Sequence, residues 1–284
     1  MSPTQHDLWN GAAGRAWVEL QEPLDEMFAP FTDLLVQTAE TRRGGRVLDI
    51  GCGTGTTTLA IADAVGATTP ADAVGSTAPA TGVDISEPML ELAKQRARSH
   101  RRDAHFICAD AQHHRFDHNS YDLVVSRFGV MFFADPAAAM ANIRTAARDD
   151  AALRFITWRS PGENPFMTTA ERAAAPLLPE LPPRDPLAPG QFALSDPELL
   201  RDLLSGNGWG RVEITPADVE CVLPLDVFDR YVTTMGPVGV ALRTAEDSRR
   251  EQLLAALQAA FEPFRDTDVM RFQASCWVAD AVAG

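Results

Sequence analysis

A carboxylate set directly before a glycine-rich turn dominates the chemistry open to this sequence. Val47-Leu48-Asp49-Ile50-Gly51-Cys52-Gly53-Thr54-Gly55 places three apolar β-formers and an acid ahead of glycines at every second position, and the helical run Leu59-Ala60-Ile61-Ala62 follows. Val47, Leu48 and Ile50 read as the end of a strand buried on both faces, as in a parallel sheet. Gly51, Gly53 and Gly55 permit positive φ and let the backbone approach a ligand closely. Strand, glycine loop and helix together form the crevice in which open α/β sheets bind their ligands. The dinucleotide pattern G-x-G-x-x-G fails in both registers, because its last glycine falls on Thr56 or on Thr58. Asp49 discriminates further. A carboxylate at the strand end, facing the loop, repels a pyrophosphate and favours a ligand that carries an ammonium or a sulfonium.

S-adenosylmethionine carries both cations and no phosphate. Three later stretches add to this reading: Thr81-Gly82-Val83-Asp84-Ile85-Ser86, Phe106-Ile107-Cys108-Ala109-Asp110-Ala111 and Tyr121-Asp122-Leu123-Val124-Val125-Ser126. Acidic glycine loop and three strand motifs, in this order and spacing, resemble the class I S-adenosylmethionine-dependent methyltransferases of small-molecule type, strongly over Arg46 to Trp158 and more loosely in the flanks. The resemblance implies a cofactor site built from Asp49, Gly51, Cys52, Gly53 and Gly55. It also implies Asp84 on the ribose hydroxyls, Ile85 beside the adenine, Asp110 and Ala111 bordering it, and Met89 and Ser126, the latter at the end of the fourth strand, in the same cofactor site. Residues just past that strand lie beside the transferred methyl in this family, so Arg127 and Phe128 are expected to face the acceptor, with Trp158 and Asn164 from the region after the fifth strand.

The segment Trp9-Asn10-Gly11-Ala12-Ala13-Gly14-Arg15-Ala16-Trp17 is dense in tryptophan and glycine for a plain helix start. By the same resemblance Trp9 or Trp17 covers the cofactor and Arg15 pairs with its methionyl carboxylate; the competing role is packing against the sheet edge.

The implied fold is α/β: a doubly wound, Rossmann-like, seven-stranded and mostly parallel sheet with an antiparallel last strand, carrying N-terminal helices and a helical or irregular cap. One domain is expected over 1–284, with a core at 40–158 and 269–284, an N-terminal helical segment at 1–39 and a cap at 159–268. Apolar residues at helical intervals from Trp17 to Leu35, with Pro23 and Pro30 suited to first turns, predict two or three short helices. Gly66 to Thr81, nearly uncharged and without period, reads as a surface insertion. It accounts for Asp84 lying 29 residues after Gly55, where a βαβ acid lies about 20 on. Prolines at 176, 179, 182, 183, 186 and 189 break up the cap. Arg211–Thr215 and Val219–Val222 alternate like exposed-face strands around Pro216, and 226–239 and 245–265 are mostly helical; all of these are assigned to the cap. Met270 to Val282 is the returning strand.

At 284 residues and 45% hydrophobic, the chain can bury a sizeable core. Its net charge of −14 repels a phosphate backbone, which argues against a nucleic-acid partner. No apolar run approaches a membrane span, the N-terminus lacks a basic-then-apolar signal, and Cys52, Cys108, Cys221 and Cys276 form no C-x-x-C pair. A cytoplasmic protein is expected, with Cys108 and Cys276 as buried strand thiols, with no metal site, and with its oligomeric state, homodimer included, left open.

Methyl transfer from a sulfonium is an in-line displacement that releases a neutral thioether, so orientation can supply much of the rate, about 7–11 kcal/mol for well-placed pairs. No catalytic residue is required, and none is assigned; His113, His114 and Glu163 are the bases to test first. Two other readings compete. The same fold could hold the cofactor structurally or for a rearrangement, or the chain could be a nicotinamide oxidoreductase, which Asp49 and the glycine register disfavour.

Overall fold

The computed structural model describes residues 4–66, 78–181, 185 and 188–284. Four helices come first: α1 (Gln5–Asn10), α2 (Ala12–Glu19), α3 (Gln21–Met27) and α4 (Ala29–Glu40). Strands and helices then alternate as β1 (Val47–Ile50), α5 (Thr56–Val65), β2 (Ala80–Asp84), α6 (Glu87–His100), β3 (Ala104–Cys108), β4 (Tyr121–Arg127), α7 (Pro136–Ala146) and β5 (Ala147–Trp158). The last part contains α8 (Phe166–Ala174), α9 (Pro197–Ser205), β6 (Trp209–Pro224), α10 (Leu225–Thr234), α11 (Gly236–Thr244), α12 (Asp247–Phe261), the two-residue β7 (Arg265–Asp266) and β8 (Val269–Ala283).

The strands form one sheet in the order β3-β2-β1-β4-β5-β8-β6, with β7 paired to β8. All pairings from β3 to β5 are parallel, whereas β8 runs antiparallel to both β5 and β6. Every residue of β1 is buried, as its run of branched and aliphatic side chains requires in the middle of such a sheet. The order reverses between β1 and β4, so the carboxyl ends of these two strands open onto the crevice that carries the site.

Several expectations are corrected. The N-terminal segment makes four helices, because Leu20 and Phe28 turn the chain between short pieces while Leu24, Met27, Phe31 and Leu35 are buried beneath them. Residues 209–224, assigned to the cap from sequence, are instead the edge strand of the main sheet. Pro216 stands within that strand opposite Trp277, a position an edge strand allows because one of its sides needs no N–H donor. Cys108 is exposed at the end of β3, which is itself an edge strand. The insertion expected over Gly66 to Thr81 falls largely on 67–77, outside the described residues, as do the prolines at 182, 183 and 186.

One acid ties the N-terminal helices to the sheet. Asp25 on α3 accepts from Arg96 Nη2 of α6 at 2.9 Å and from Thr56 Oγ1 of α5 at 2.6 Å, and Gln21 Nε2 also donates to it. Arg96 additionally donates to the Thr54 carbonyl at 2.8 Å, so this network fixes the glycine loop itself. Arg127 Nη2 lies 4.0 Å from the Asp25 carboxylate. Removing one member of a partly buried charge network leaves the others desolvated and unpaired, at a cost of about 3 kcal/mol. Asp25→Ala is therefore expected to lower the unfolding free energy by about that amount, read as a shifted urea midpoint with an unchanged slope.

Candidate active site

The β1–α5 loop owes its path to a close crossing of two backbones. Gly51 has φ 68° and Gly129, just beyond β4, lies against it: a Cβ on Gly51 would stand 2.6 Å from the Gly129 Cα. No side chain fits at either position. Ser126, buried at the end of β4, donates to the Ile50 carbonyl at 2.7 Å and accepts from Gly129 N–H at 3.2 Å, holding the two turns together.

At this crossing opens a cavity of about 270 Å³. Asp49, Gly51, Cys52 and Gly53 line its floor, with Asp84, Ile85 and Met89 on one wall and Asp110 and Ala111 farther along. Trp9 and Trp17 roof it. The roof is clipped in place: Asn10 Nδ2 donates to the Ile85 carbonyl at 3.0 Å, Asn10 Oδ1 accepts from Glu87 N–H at 2.8 Å, and Ser86 Oγ donates to the Trp9 carbonyl at 2.7 Å. Trp9 meets Phe132 edge-to-face at 5.0 Å. The N-terminal segment thus both packs and covers.

The two acids differ in their partners. Asp84 accepts backbone N–H groups from Gly53 and Ser86, each at 2.8 Å, which steady both turns and soften the upward pull of burial on its pKa. Asp49 is only 1% exposed and accepts one hydroxyl, Thr58 Oγ1, at 2.6 Å. Burial pushes its carboxyl up to about 7, against the hydrogen bond from Thr58 and the charge of Arg127. Arg127 is itself buried, which lowers its pKa, and it donates to Thr32 Oγ1 at 2.7 Å. A floor of buried carboxylates starved of positive charge, under glycines that admit no side chain, fits a cationic, phosphate-free nucleoside such as S-adenosylmethionine. Asp49 and the loop would hold its amino-acid end and Asp84 its ribose.

Four residues expected in the site do not line it. Gly55 caps α5 with φ 83° and is packed against Ala93 and Phe106, so it serves the α5–α6 contact. Ser126 is the clip described above. Arg15 is exposed on α2. Asn164 is fully buried, donates to the Ser275 carbonyl at 2.9 Å and accepts from Ser275 N–H at 2.8 Å, pinning the post-β5 loop to β8. The candidate bases are elsewhere too: His113 is exposed, His114 packs edge-on to Phe116, and Glu163 is engaged by Arg159 and Ser160.

Phe128 and Trp158 do line the cavity, stacked at 4.4 Å between centroids and 13° between planes. Phe128 holds this pose with φ 65°, an unusual conformation for a bulky residue. Beyond the pair the cavity continues among residues that sequence reasoning missed: Glu171 on α8, Tyr231 and Val232 on α10, Val238 on α11 and Phe261 on α12. Thr54, Thr57, Gln112 and Gly129 were also missed on the cofactor side. The glycine after Arg127-Phe128 was the one available signal, since a glycine past a central strand marks a close approach. Among the described residues no group of His, Cys, Asp and Glu is arranged to hold a metal ion, and no helix is long and apolar enough to cross a membrane.

Comparison with known proteins agrees with this geometry. A family model described as a methyltransferase domain matches residues 47–150. The chain is 28% identical over 187 residues to a demethylmenaquinone methyltransferase of Renibacterium salmoninarum, covering 63% of this chain and 72% of that one. It is 34% identical over 118 residues to the aklanonic acid methyltransferase DauC of a Streptomyces species, covering 41% of this chain and 50% of that protein. Among solved structures, the [4+2]-cyclase SpnF shares the fold with a TM-score of 0.56 at 17% identity, over 100% of this chain and 97% of that one. The stretch from β1 to the start of β5, with its two acids beneath a glycine loop, thus matches a methyltransferase domain.

Proposed function

We propose that this methyltransferase acts on a small, largely apolar acceptor inside a closed chamber. The observation that carries this reading is the continuity of one cavity from Asp49, past the stacked Phe128 and Trp158, to Val238 and Phe261 beneath the helices of the C-terminal half. A net charge of −14 opposes a nucleic acid. Two relatives carry small molecules in their names, aklanonic acid and demethylmenaquinone. Four free cysteines suit a reducing, cytoplasmic setting.

Bound S-adenosylmethionine would supply an electrophilic methyl carbon: the acceptor's O, N or C lone pair would take it as the bond to sulfur breaks, a neutral thioether would leave, and the proton shed by the acceptor would pass to water. The chain's own part is to bind, align and exclude water. Asp49 holds the amino-acid end of the cofactor and Asp84 its ribose, Trp9 and Trp17 cover it, and the Phe128–Trp158 pair presents a flat face to the acceptor. Alignment of this kind is worth about 7–11 kcal/mol. A second reading has a specific motive, since the same fold serves a [4+2]-cyclase: the cofactor could be held while a rearrangement proceeds.

Incubation with methyl-labelled cofactor and a panel of phenolic, enolic and amine ring compounds is expected to transfer label to an acceptor with equimolar S-adenosylhomocysteine. Acceptor conversion without cofactor turnover would instead establish the rearrangement.

The titration of Asp49 gives a second check. An ordinary aspartate titrates near 3.8 and Asp49 near 7. Between these values the folded, cofactor-free chain holds the extra proton, so its stability falls as pH rises from about 4 to about 7 and is level above. A cationic ligand favours the ionised carboxylate, so its binding expels that proton and strengthens as pH rises through about 7. Calorimetric titration with S-adenosylhomocysteine, whose ammonium remains, is expected to show affinity about tenfold lower at pH 6 than at pH 8. Asp49→Asn should bind more weakly at pH 8 and lose the slope.

A further inference from the structure

Past the Phe128–Trp158 pair the chamber is walled by Phe166, Val232, Val238 and Phe261, and among the polar groups that interrupt this apolar lining, with Glu171 and Gln191, is the phenol of Tyr231 on α10. Among the described residues nothing hydrogen-bonds its hydroxyl, and the influences on its titration are burial and the neighbouring Cys221. Tyr231 is half-buried, and a tyrosine that lines a ligand chamber without a partner for its O–H is a vacant recognition point. Burial pushes the phenol up to about 12, so it stays protonated and able both to donate and to accept. Charge in the lining points the same way. Among the described residues no lysine or histidine lines the cavity, Arg127 is engaged by Thr32 beside Asp25 at the cofactor end, and Glu171 adds a carboxylate in the acceptor half. An anionic acceptor would find no cation to meet it.

Resting on the methyl-transfer reading above, we propose that Tyr231 is the specificity-determining contact of this enzyme. Its hydroxyl hydrogen-bonds a hydroxyl or carbonyl oxygen of an uncharged, ring-based acceptor whose apolar body lies against Trp158 and Phe128. The ring systems supply the stacking surface and the apolar walls exclude water, so this polar contact sets the acceptor's orientation. An apolar pocket alone discriminates weakly between similar molecules, whereas one buried hydrogen-bonding group separates acceptors that can satisfy it from those that cannot.

The test uses three probes of one shape, 2-naphthol, naphthalene and 2-naphthoate, in equilibrium dialysis against the full chain, with and without S-adenosylhomocysteine. The wild type is expected to bind 2-naphthol about fivefold more tightly than naphthalene, the value of one net hydrogen bond, and to bind 2-naphthoate most weakly. Tyr231→Phe, which keeps the ring and removes only the oxygen, is expected to bring the naphthol-to-naphthalene ratio to about one. A wild type without the naphthol preference, a preference that survives in Tyr231→Phe, or a preference for naphthoate overturns the assignment. Titration with S-adenosylhomocysteine keeps the two readings apart. Its failure to bind the wild type refutes methyl transfer, while the naphthol ratio alone decides Tyr231.

Discussion

A carboxylate buried at the end of a central strand is costly unless something positive comes to it, and much of this molecule is arranged around that constraint. Asp49 sits on β1, the strand with the deepest burial, and receives a single hydroxyl hydrogen bond from Thr58. The nearest cation, Arg127, does not neutralise it outright, because Arg127 is also drawn toward Asp25 and Thr32. The cofactor-free site is thereby left short of positive charge. Had Arg127 paired fully with Asp49, the fold would gain stability and the site would lose its reason to prefer a cation. This is the usual opposition between a stable site and a binding one, in which part of the folding free energy is withheld for a ligand.

The same constraint explains why the N-terminal helices matter beyond covering the cavity. Asp25 divides its two oxygens between Arg96, which reaches the loop through the Thr54 carbonyl, and Thr56 at the start of α5. One carboxylate on α3 therefore sets the position of the glycine loop and the charge available to Asp49. The roof is joined to the floor a second time through Asn10 and the Ile85 carbonyl. Roof and floor are coupled by two separate polar networks, so the geometry of the cofactor half does not rest on apolar packing alone.

Legibility in the sequence follows the range of the interactions that build each part. The floor of the cavity was readable because it is local: Asp49 and the glycines are contiguous, Asp84 ends β2, and Asp110 follows β3 by two residues. Gly55 and Ser126 were misassigned for a related reason. Motif membership says that a residue belongs to the loop or strand end, while only the packing shows Gly55 turned against Ala93 and Ser126 turned toward Ile50. Residues 209–224 were given to the cap because Pro216 splits the alternation; the partner strand, which lies some 50 residues on, restores the continuity that the sequence window cannot see. Asn164 looked like a loop polar group free to meet a substrate, and its burial against Ser275 depends on a strand more than a hundred residues later.

The C-terminal half of the cavity, proposed to hold the acceptor, lies at the far end of that scale. Its wall is assembled from α8, α10, α11 and α12, elements whose apolar faces are unremarkable helix stripes until the chain folds back over the carboxyl ends of β4 and β5. Within such a stripe a tyrosine reads as one more large side chain. What distinguishes Tyr231 is that, among the described residues, its hydroxyl has no partner in a largely apolar lining, a feature that shows only in the folded chain. The two halves of one cavity are thus built on different principles. The cofactor half is fixed by a contiguous motif and by the electrostatics of two acids, so it can stay constant while the chemistry on offer stays constant. The acceptor half is fixed by the packing of separate helices, where exchanging a few side chains reshapes the chamber without disturbing the glycine loop. The two halves meet at the stacked rings of Phe128 and Trp158.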